Sequence, residues 1–137
     1  LAAFIPVIIG MGGNIGTQSS TIIVRGMATG RIEVGNEIQV LLKELSVGLM
    51  LGALYGIMLG LFASFRFLDT GPMIGLVVGL SICSSMVLAA GVGTFTPLIL
   101  RKLDIDPAVA TGPFVTTSVD ILGVLLYFMI AGLLLKI

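Results

Sequence analysis

The chain has 137 residues, 57% hydrophobic and only 10% charged, with a mean hydropathy of +1.20. Soluble domains carry about 25% charged residues, so this composition indicates a membrane protein. Seven basic residues balance seven acidic ones, which gives no sign of nucleic-acid binding. The chain has no histidine, the usual general base and transition-metal ligand, and its single Cys83 cannot form an intrachain disulfide. We therefore expect neither hydrolytic catalysis nor zinc chemistry, and no enzyme activity.

The charged residues divide the chain into apolar segments, each longer than the ~20 residues that a bilayer span requires. They cover roughly 1–28, 38–66, 72–100 and 107–135. The connections are short, so consecutive helices should be antiparallel neighbours. We expect an all-α fold, a polytopic membrane helix bundle that forms one transmembrane ion-conducting domain over 1–137. The chain begins without Met inside an apolar run, which suggests a fragment of a longer protein.

The basic residues indicate the orientation in the membrane. The opposite end has only Arg66 and Lys136, whereas the end reached after the first segment carries Arg25, Arg31, Lys43, Arg101 and Lys102. By the positive-inside rule, the crowded end should be cytoplasmic. We expect an integral protein of the plasma (inner) membrane.

The first segment presents a polar stripe. On a helix, Gly10, Asn14, Thr17 and Thr21 fall within about 40° of one another. Gly12, Gly13 and Gly16 thin one side of this helix, which would let a neighbouring backbone or exposed carbonyl groups approach. Ordinary packing of small residues, with the amide bonded to a neighbouring helix, explains the same pattern, so both interpretations stay open.

The second segment predicts helix packing rather than chemistry. Its glycines at 48, 52, 56 and 60 recur every four residues, which is typical of a flat helix face against another helix. Lys43 and Glu44 lie near its cytoplasmic start, and we expect them to be solvated or interfacial.

The fourth segment contains two carboxylates. On one continuous helix Asp106, Pro113, Thr117 and Asp120 share a face within about 40°. The Asp106-Pro107 pair is a common helix start with Asp as N-cap, and local sequence alone favours that role. Asp120 needs no cap role. It is either bonded to a neighbouring helix or takes part directly in function, because ionisable groups at membrane depth mark functional sites.

The polar side chains of this bundle offer carboxylate, amide and hydroxyl oxygens, which suit a hard cation such as Mg²⁺. This ion keeps most of its waters and needs only one or two carboxylates from the protein. A single Asp106 per chain provides only one carboxylate for the ion. A two-fold axis along a shared pore would bring a second Asp106 opposite the first.

Several motifs together resemble the transmembrane domain of the MgtE magnesium channel family. They are Gly-Met-Gly-Gly-Asn-Ile-Gly-Thr-Gln at 10–18, Arg25 with Ala28-Thr29-Gly30, Asp106-Pro107-Ala108, and Gly-Pro-Phe-Val-Thr-Thr at 112–117 before Asp120. The motifs occur in the family's order, and the resemblance covers essentially the whole chain.

The resemblance implies a homodimeric channel that conducts hydrated Mg²⁺, with a pore at the dimer interface lined by the first and fourth segments. It implies that Asp106 is the ion-binding residue and that Asn14 and neighbouring glycines belong to a pore-lining helix. We expect the pore lining to include Asn14, Gly10, Gly13, Thr17, Ala110, Pro113 and Thr117, with Asp120 as a candidate secondary polar site. Mn²⁺, Co²⁺ and Ca²⁺ stay open as alternative ions.

The chain also departs from the family pattern. The family unit has five spans and only the last four are recognised here, and the N-terminal cytoplasmic regulatory domains of the bacterial channels are not in this chain. A proton- or Na⁺-coupled exchanger that uses Asp106 and Asp120 is an alternative function. A purely structural or assembly role is the third.

Overall fold

The computed structural model describes residues 2–33, 35–68 and 73–135. These residues form an all-helical bundle, which confirms the predicted fold class, and no strand occurs in the described ranges. The four long helices are α1 (Ile5–Ala28), α2 (Glu37–Arg66), α3 (Met73–Lys102) and α4 (Pro113–Leu135). Within the described residues, α2, α3 and α4 are the helices long and apolar enough to cross a membrane.

The helix bounds match the expected segments closely, with one exception. A short 3-10 helix at Ala2–Phe4 precedes α1, and α3 continues to Lys102. Leu1 and Pro72, the first residues of two expected segments, lie outside the described residues. The exception is the fourth segment, which was expected to be one helix from 107 onward.

The fourth segment is interrupted before α4 begins. Pro107–Ala110 forms a 3-10 helix, and Gly112 then takes a φ of +89°, which a side chain would strain. Pro113 starts α4, where its missing N–H needs no partner. Asp106 therefore does not lie on the same helix as Asp120. The shared face inferred from a continuous helix is wrong for Asp106 but holds for Pro113 and Thr117.

Close contacts fix the directions of the helices. A methyl group built at Gly12 would lie 3.2 Å from Ser85 Oγ, and one at Gly16 would lie 3.5 Å from the Ala89 carbonyl oxygen, so α1 and α3 run parallel. The same two glycines of α1 contact α4 in the opposite order along the chain. A methyl group at Gly12 would contact Val119, whereas one at Gly16 would contact both Val119 and the earlier Val115. α4 is thus antiparallel to α1.

The glycine face of α2 packs against α3 as predicted. A methyl group at Gly52, Gly56 or Gly60 would approach a backbone oxygen of α3 to 2.6–2.8 Å. Real side chains do not tolerate such distances, so the two helix backbones touch along this face. α3 is the central helix, since it packs against each of the other three.

Glu44 corrects the expectation of a solvated residue. Its side chain is buried, with 7% exposed, and its Oε2 accepts a hydrogen bond of 2.8 Å from Ser19 Oγ of α1. α2 packs mainly against α3, so this bond is a connection between α2 and α1. Burial is feasible because the carboxylate has a donor there. The neighbouring Lys43 is exposed, as expected.

Arg101 ties the crowded ends of the helices together. Its Nη1 donates to the Ile32 carbonyl oxygen at 3.2 Å, and its Nη2 lies 3.5 Å from Glu37 Oε1. These contacts place the end of α3 beside the loop between α1 and α2. The end of α1, the start of α2 and the end of α3 therefore meet at one end of the bundle.

Candidate functional site

A groove of about 650 Å³ runs along the surface between α1 and α4. It follows α1 from Ile9 to Arg25, about 24 Å at 1.5 Å per residue. Two α4 residues, Thr116 and Asp120, complete it. The α1 lining comprises Ile9, Gly10, Gly13, Asn14, Thr17, Gln18, Thr21, Ile22 and Arg25.

Glycines of α1 let α4 approach and set the height of the carboxylate. Gly12 and Gly16 pack tightly on α4, because a methyl group at either would lie 3.0–3.1 Å from Val119. A methyl group at Gly13 would lie 3.6 Å from Asp120 Oδ1. The Asp120 carboxylate therefore lies against the α1 backbone at Gly13, which is buried.

The hydroxyl groups in the groove present lone pairs rather than protons. Thr17 Oγ1 donates to the Gly13 carbonyl oxygen and Thr21 Oγ1 donates to the Thr17 carbonyl oxygen, each at 2.8 Å. Thr116 Oγ1 likewise lies 3.3 and 3.2 Å from the carbonyl oxygens of Gly112 and Pro113. A hydroxyl has one proton to donate, so these oxygens can only accept further hydrogen bonds.

The groove thus combines acceptor oxygens with one carboxylate, and Arg25 adds one guanidinium near the end of α1. Asp120 is the carboxylate among the lining residues, and Asn14 and Gln18 add amide oxygens. Asp120 lies about 10 Å along α4 from Pro113, away from the helix end. Within the described residues, no three Asp, Glu, Cys or His side chains are close enough to hold a metal ion. One chain therefore offers hydrogen-bond acceptors to a hydrated cation, not a closed coordination cage.

The predicted site residues separate into two groups. The groove brings together Gly10, Gly13, Asn14, Thr17 and Asp120. Pro113 and Thr117 do not line it. They are exposed on α4, on the same side of that helix as Asp120, seven and three residues before it. The Ala110 side chain is not part of the described structure.

Asp106 lies outside the groove lining. Its Oδ1 accepts a 2.9 Å hydrogen bond from the Ala108 N–H, so it caps the Pro107–Ala110 turn, as local sequence predicted. Its side chain is exposed, four residues beyond the end of α3. Its role as an ion ligand stays a prediction.

Four polar groove residues, Thr21, Gln18, Arg25 and Thr116, were absent from the predicted pore lining, although Thr21 belongs to the predicted polar stripe. Thr116 precedes Asp120 by four residues, a spacing that shares a helix face, and was detectable in the sequence. Gln18 flanks the predicted stripe. Arg25 is part of the family motif and of the basic end of the bundle, and it also continues the polar stripe into the last turn of α1.

The chain matches a family model for MgtE, described as divalent cation transporters, over residues 5–130. It is 39% identical to the magnesium transporter MgtE of Thermus thermophilus over 136 residues, which is 99% of this chain and 30% of that protein. It is 34% identical to the protein of that name in Bacillus subtilis over 131 residues, 96% of this chain and 29% of the relative.

A third similar protein is the magnesium transporter MgtE of Enterococcus faecalis, 35% identical over 136 residues. That match covers 99% of this chain and 30% of the relative. The chain therefore spans less than a third of the length of the curated relatives that it matches.

Proposed function

The chain belongs to the MgtE family of divalent cation transporters, and from this premise we propose that it carries Mg²⁺ across the membrane along the groove between α1 and α4. The family is one of transporters rather than enzymes. The relatives named magnesium transporters cover nearly all of this chain, which supports Mg²⁺ as the transported ion.

The observation that carries the proposal is the position of Asp120 over Gly13, within a lining of acceptor oxygens. Water molecules bound to a cation point their protons outward, so a hydrated Mg²⁺ needs acceptors around it. Thr17, Thr21 and Thr116 supply such acceptors because their own protons are already donated. Asp120 supplies charge, to which a divalent ion responds twice as strongly as a monovalent one.

We propose two levels of ion binding. Asp120 contacts the ion's water shell within the groove, together with Asn14 and Thr17. Asp106 binds the ion at the end of the bundle where Arg101 ties the helices together, as an exposed carboxylate at the mouth. This assignment keeps Asp106 as a ligand, but gives the deeper contact to Asp120, which lines the groove.

We propose that a second copy of the chain closes the groove. The groove is open along the surface, and Pro113 and Thr117 are exposed beside it. A two-fold axis along this face would enclose a path lined by α1 and α4 of both copies and would place two Asp120 carboxylates opposite each other. Such a pair would hold one hydrated divalent ion without an inner-sphere cage in either chain.

We propose a plasma (inner) membrane location with the Arg25, Arg31, Arg101 and Lys102 end in the cytoplasm, following the positive-inside rule. The path is passive in this proposal, because Asp120 is the single carboxylate in the groove lining. The other lining oxygens are neutral, and the remaining charged group is the guanidinium of Arg25. Coupled exchange through Asp106 and Asp120 is the alternative. Mn²⁺, Co²⁺ and Ca²⁺ are candidate ions besides Mg²⁺.

The test is Mg²⁺ flux into liposomes that contain the purified protein and a Mg²⁺-sensitive dye. We expect flux that follows the Mg²⁺ gradient and is unchanged when pH or Na⁺ gradients are imposed. Flux that requires a proton or Na⁺ gradient would establish the exchanger instead. Absence of any divalent flux from folded protein would reject transport by this chain.

A further inference from the structure

Arg25 places a positive charge in a groove proposed to carry cations. The residue lies near the end of α1 and lines the groove together with Thr21 and Ile22. Its side chain is exposed, and within the described ranges it forms no ion pair, in contrast to Arg101 with Glu37. The guanidinium is always protonated, so the charge is permanent.

Helix stability alone does not explain this position. A basic residue in the last turn of α1 interacts favourably with the helix dipole on any face of the helix. Arg25 lies on the groove face, four residues after Thr21 and eight after Thr17. Arg31 is exposed at the same end of the bundle but does not line the groove. The two arginines therefore carry the same charge and differ in whether that charge lies in the groove.

We propose that Arg25 makes the ion path rectify by opposing the accumulation of divalent cations at the cytoplasmic mouth, where Asp106 attracts them. The inference rests on the proposed function and deepens it. Outward movement starts from cations at this mouth, so their depletion reduces outward flux. Inward movement starts from the other side, where Arg25 does not act, and repulsion near the mouth favours release into the cytoplasm.

The expected size follows from Coulomb's law. A unit charge about 8 Å from a divalent ion in water changes the ion's local concentration roughly fivefold without salt. At physiological ionic strength the Debye length is about 8 Å, which reduces the factor to about twofold. The effect of Arg25 should therefore be modest at physiological salt and should grow as ionic strength falls.

The test is a current–voltage curve from membrane patches that contain the full chain, with equal Mg²⁺ on both sides. Arg25→Gln should raise outward current about twofold at physiological salt and up to about fivefold at low salt, with inward current nearly unchanged. Arg25→Lys should behave like the wild type, because it keeps the charge. Arg31→Gln is the matched control, and its effect should be smaller than that of Arg25→Gln.

A second variant separates charge from folding. Arg25→Cys in a Cys83→Ser background can be modified in place by thiol reagents that are positively or negatively charged. The positive reagent should restore the wild-type curve, and the negative reagent should increase outward current beyond that of Arg25→Gln. Equal current–voltage curves after both reagents would overturn the role of Arg25 but not the proposed channel. The same holds if the outward current of Arg25→Gln differs from that of the wild type by the same factor at every salt concentration. No Mg²⁺ current from the wild type would overturn the proposed channel together with this inference.

Discussion

The carboxylate of Asp120 in α4 lies over Gly13 in α1, so closely that a methyl group at Gly13 would be 3.6 Å from its Oδ1. That distance is an ordinary van der Waals contact. A side chain there would fit the fold, yet it would occupy space beside the carboxylate. A substitution at Gly13 can therefore change the groove without disturbing the fold.

Gly13→Ala should weaken Mg²⁺ flux severalfold while the protein remains folded, because the methyl group displaces water between the ion and Asp120. Mg²⁺ flux in liposomes and thermal unfolding measure the two properties. Gly91→Ala on α3 is the control, since Gly91 does not line the groove and a methyl group there would meet only Leu45 Cδ2, at 3.4 Å. Equal flux from Gly13→Ala and wild type would argue against an ion beside Asp120.

Gly93→Ala should destabilise the bundle, because its methyl group would collide with the Gly16 carbonyl oxygen of α1. Forcing extra volume into a packed core typically costs about 1–3 kcal/mol. Gly91→Ala on the same helix is the matched control, since its nearest contact is Leu45 Cδ2 at 3.4 Å. Thermal unfolding in detergent should show a lower midpoint for Gly93→Ala only. Equal unfolding midpoints for Gly93→Ala and Gly91→Ala would mean that α1 and α3 pack less closely than the contact between Gly93 and Gly16 indicates.

The bond between Ser19 and Glu44 should contribute to stability through its buried carboxylate. Glu44→Ala and Ser19→Ala should each destabilise the fold by about 1.5–3 kcal/mol, the range for hydrogen bonds to charged groups. The double variant should lose less than the sum, because both changes remove the same bond. Unfolding curves of the four proteins give the coupling, and strict additivity would show that the bond contributes nothing.

Thr117→Cys in a Cys83→Ser background should form an intersubunit crosslink if α4 faces the two-fold axis. Divalent ions should raise its yield, because an ion between two carboxylates removes their repulsion. Leu54→Cys on the exposed side of α2 is the control and should not crosslink. Crosslinking at position 54 but not at 117, scored by non-reducing gel electrophoresis, would move the interface away from the groove.

The helices were predictable because the length of each apolar segment and the charged residues between segments can be read directly from the local sequence. The polar stripe of Asn14 and Thr17 was also predictable, since helical geometry alone fixes which residues share a face. The partners of that stripe were not. Contact of Gly13 with Thr116 and Asp120 depends on the antiparallel register of α1 and α4, which is set by close packing at Gly12 and Gly16.

Two expectations failed although the sequence carried a signal for each. Gly112 before Pro113 disfavours helix at that point, since a residue before proline avoids the α region. A shared helix face for Asp106 and Asp120 requires an uninterrupted helix across Gly112, and the structure has none there. Glu44 continues the four-residue spacing of Gly48 and Gly52, which indicates the buried face of α2. The charge of Glu44 favours an exposed side chain, but its position on the glycine face of α2 decides its burial.

The most direct test of the account is Mg²⁺ flux through Asp120→Asn compared with Asp106→Asn in liposomes of equal protein content. Asn is itself a good N-cap, so Asp106→Asn keeps the turn at Pro107–Ala110 and removes only the charge. We predict that Asp120→Asn lowers flux at least about tenfold, because it removes the groove's carboxylate from beside a divalent ion. Asp106→Asn should lower flux by a smaller factor. A larger loss from Asp106→Asn, with both variants folded, would contradict the placement of the ion over Gly13.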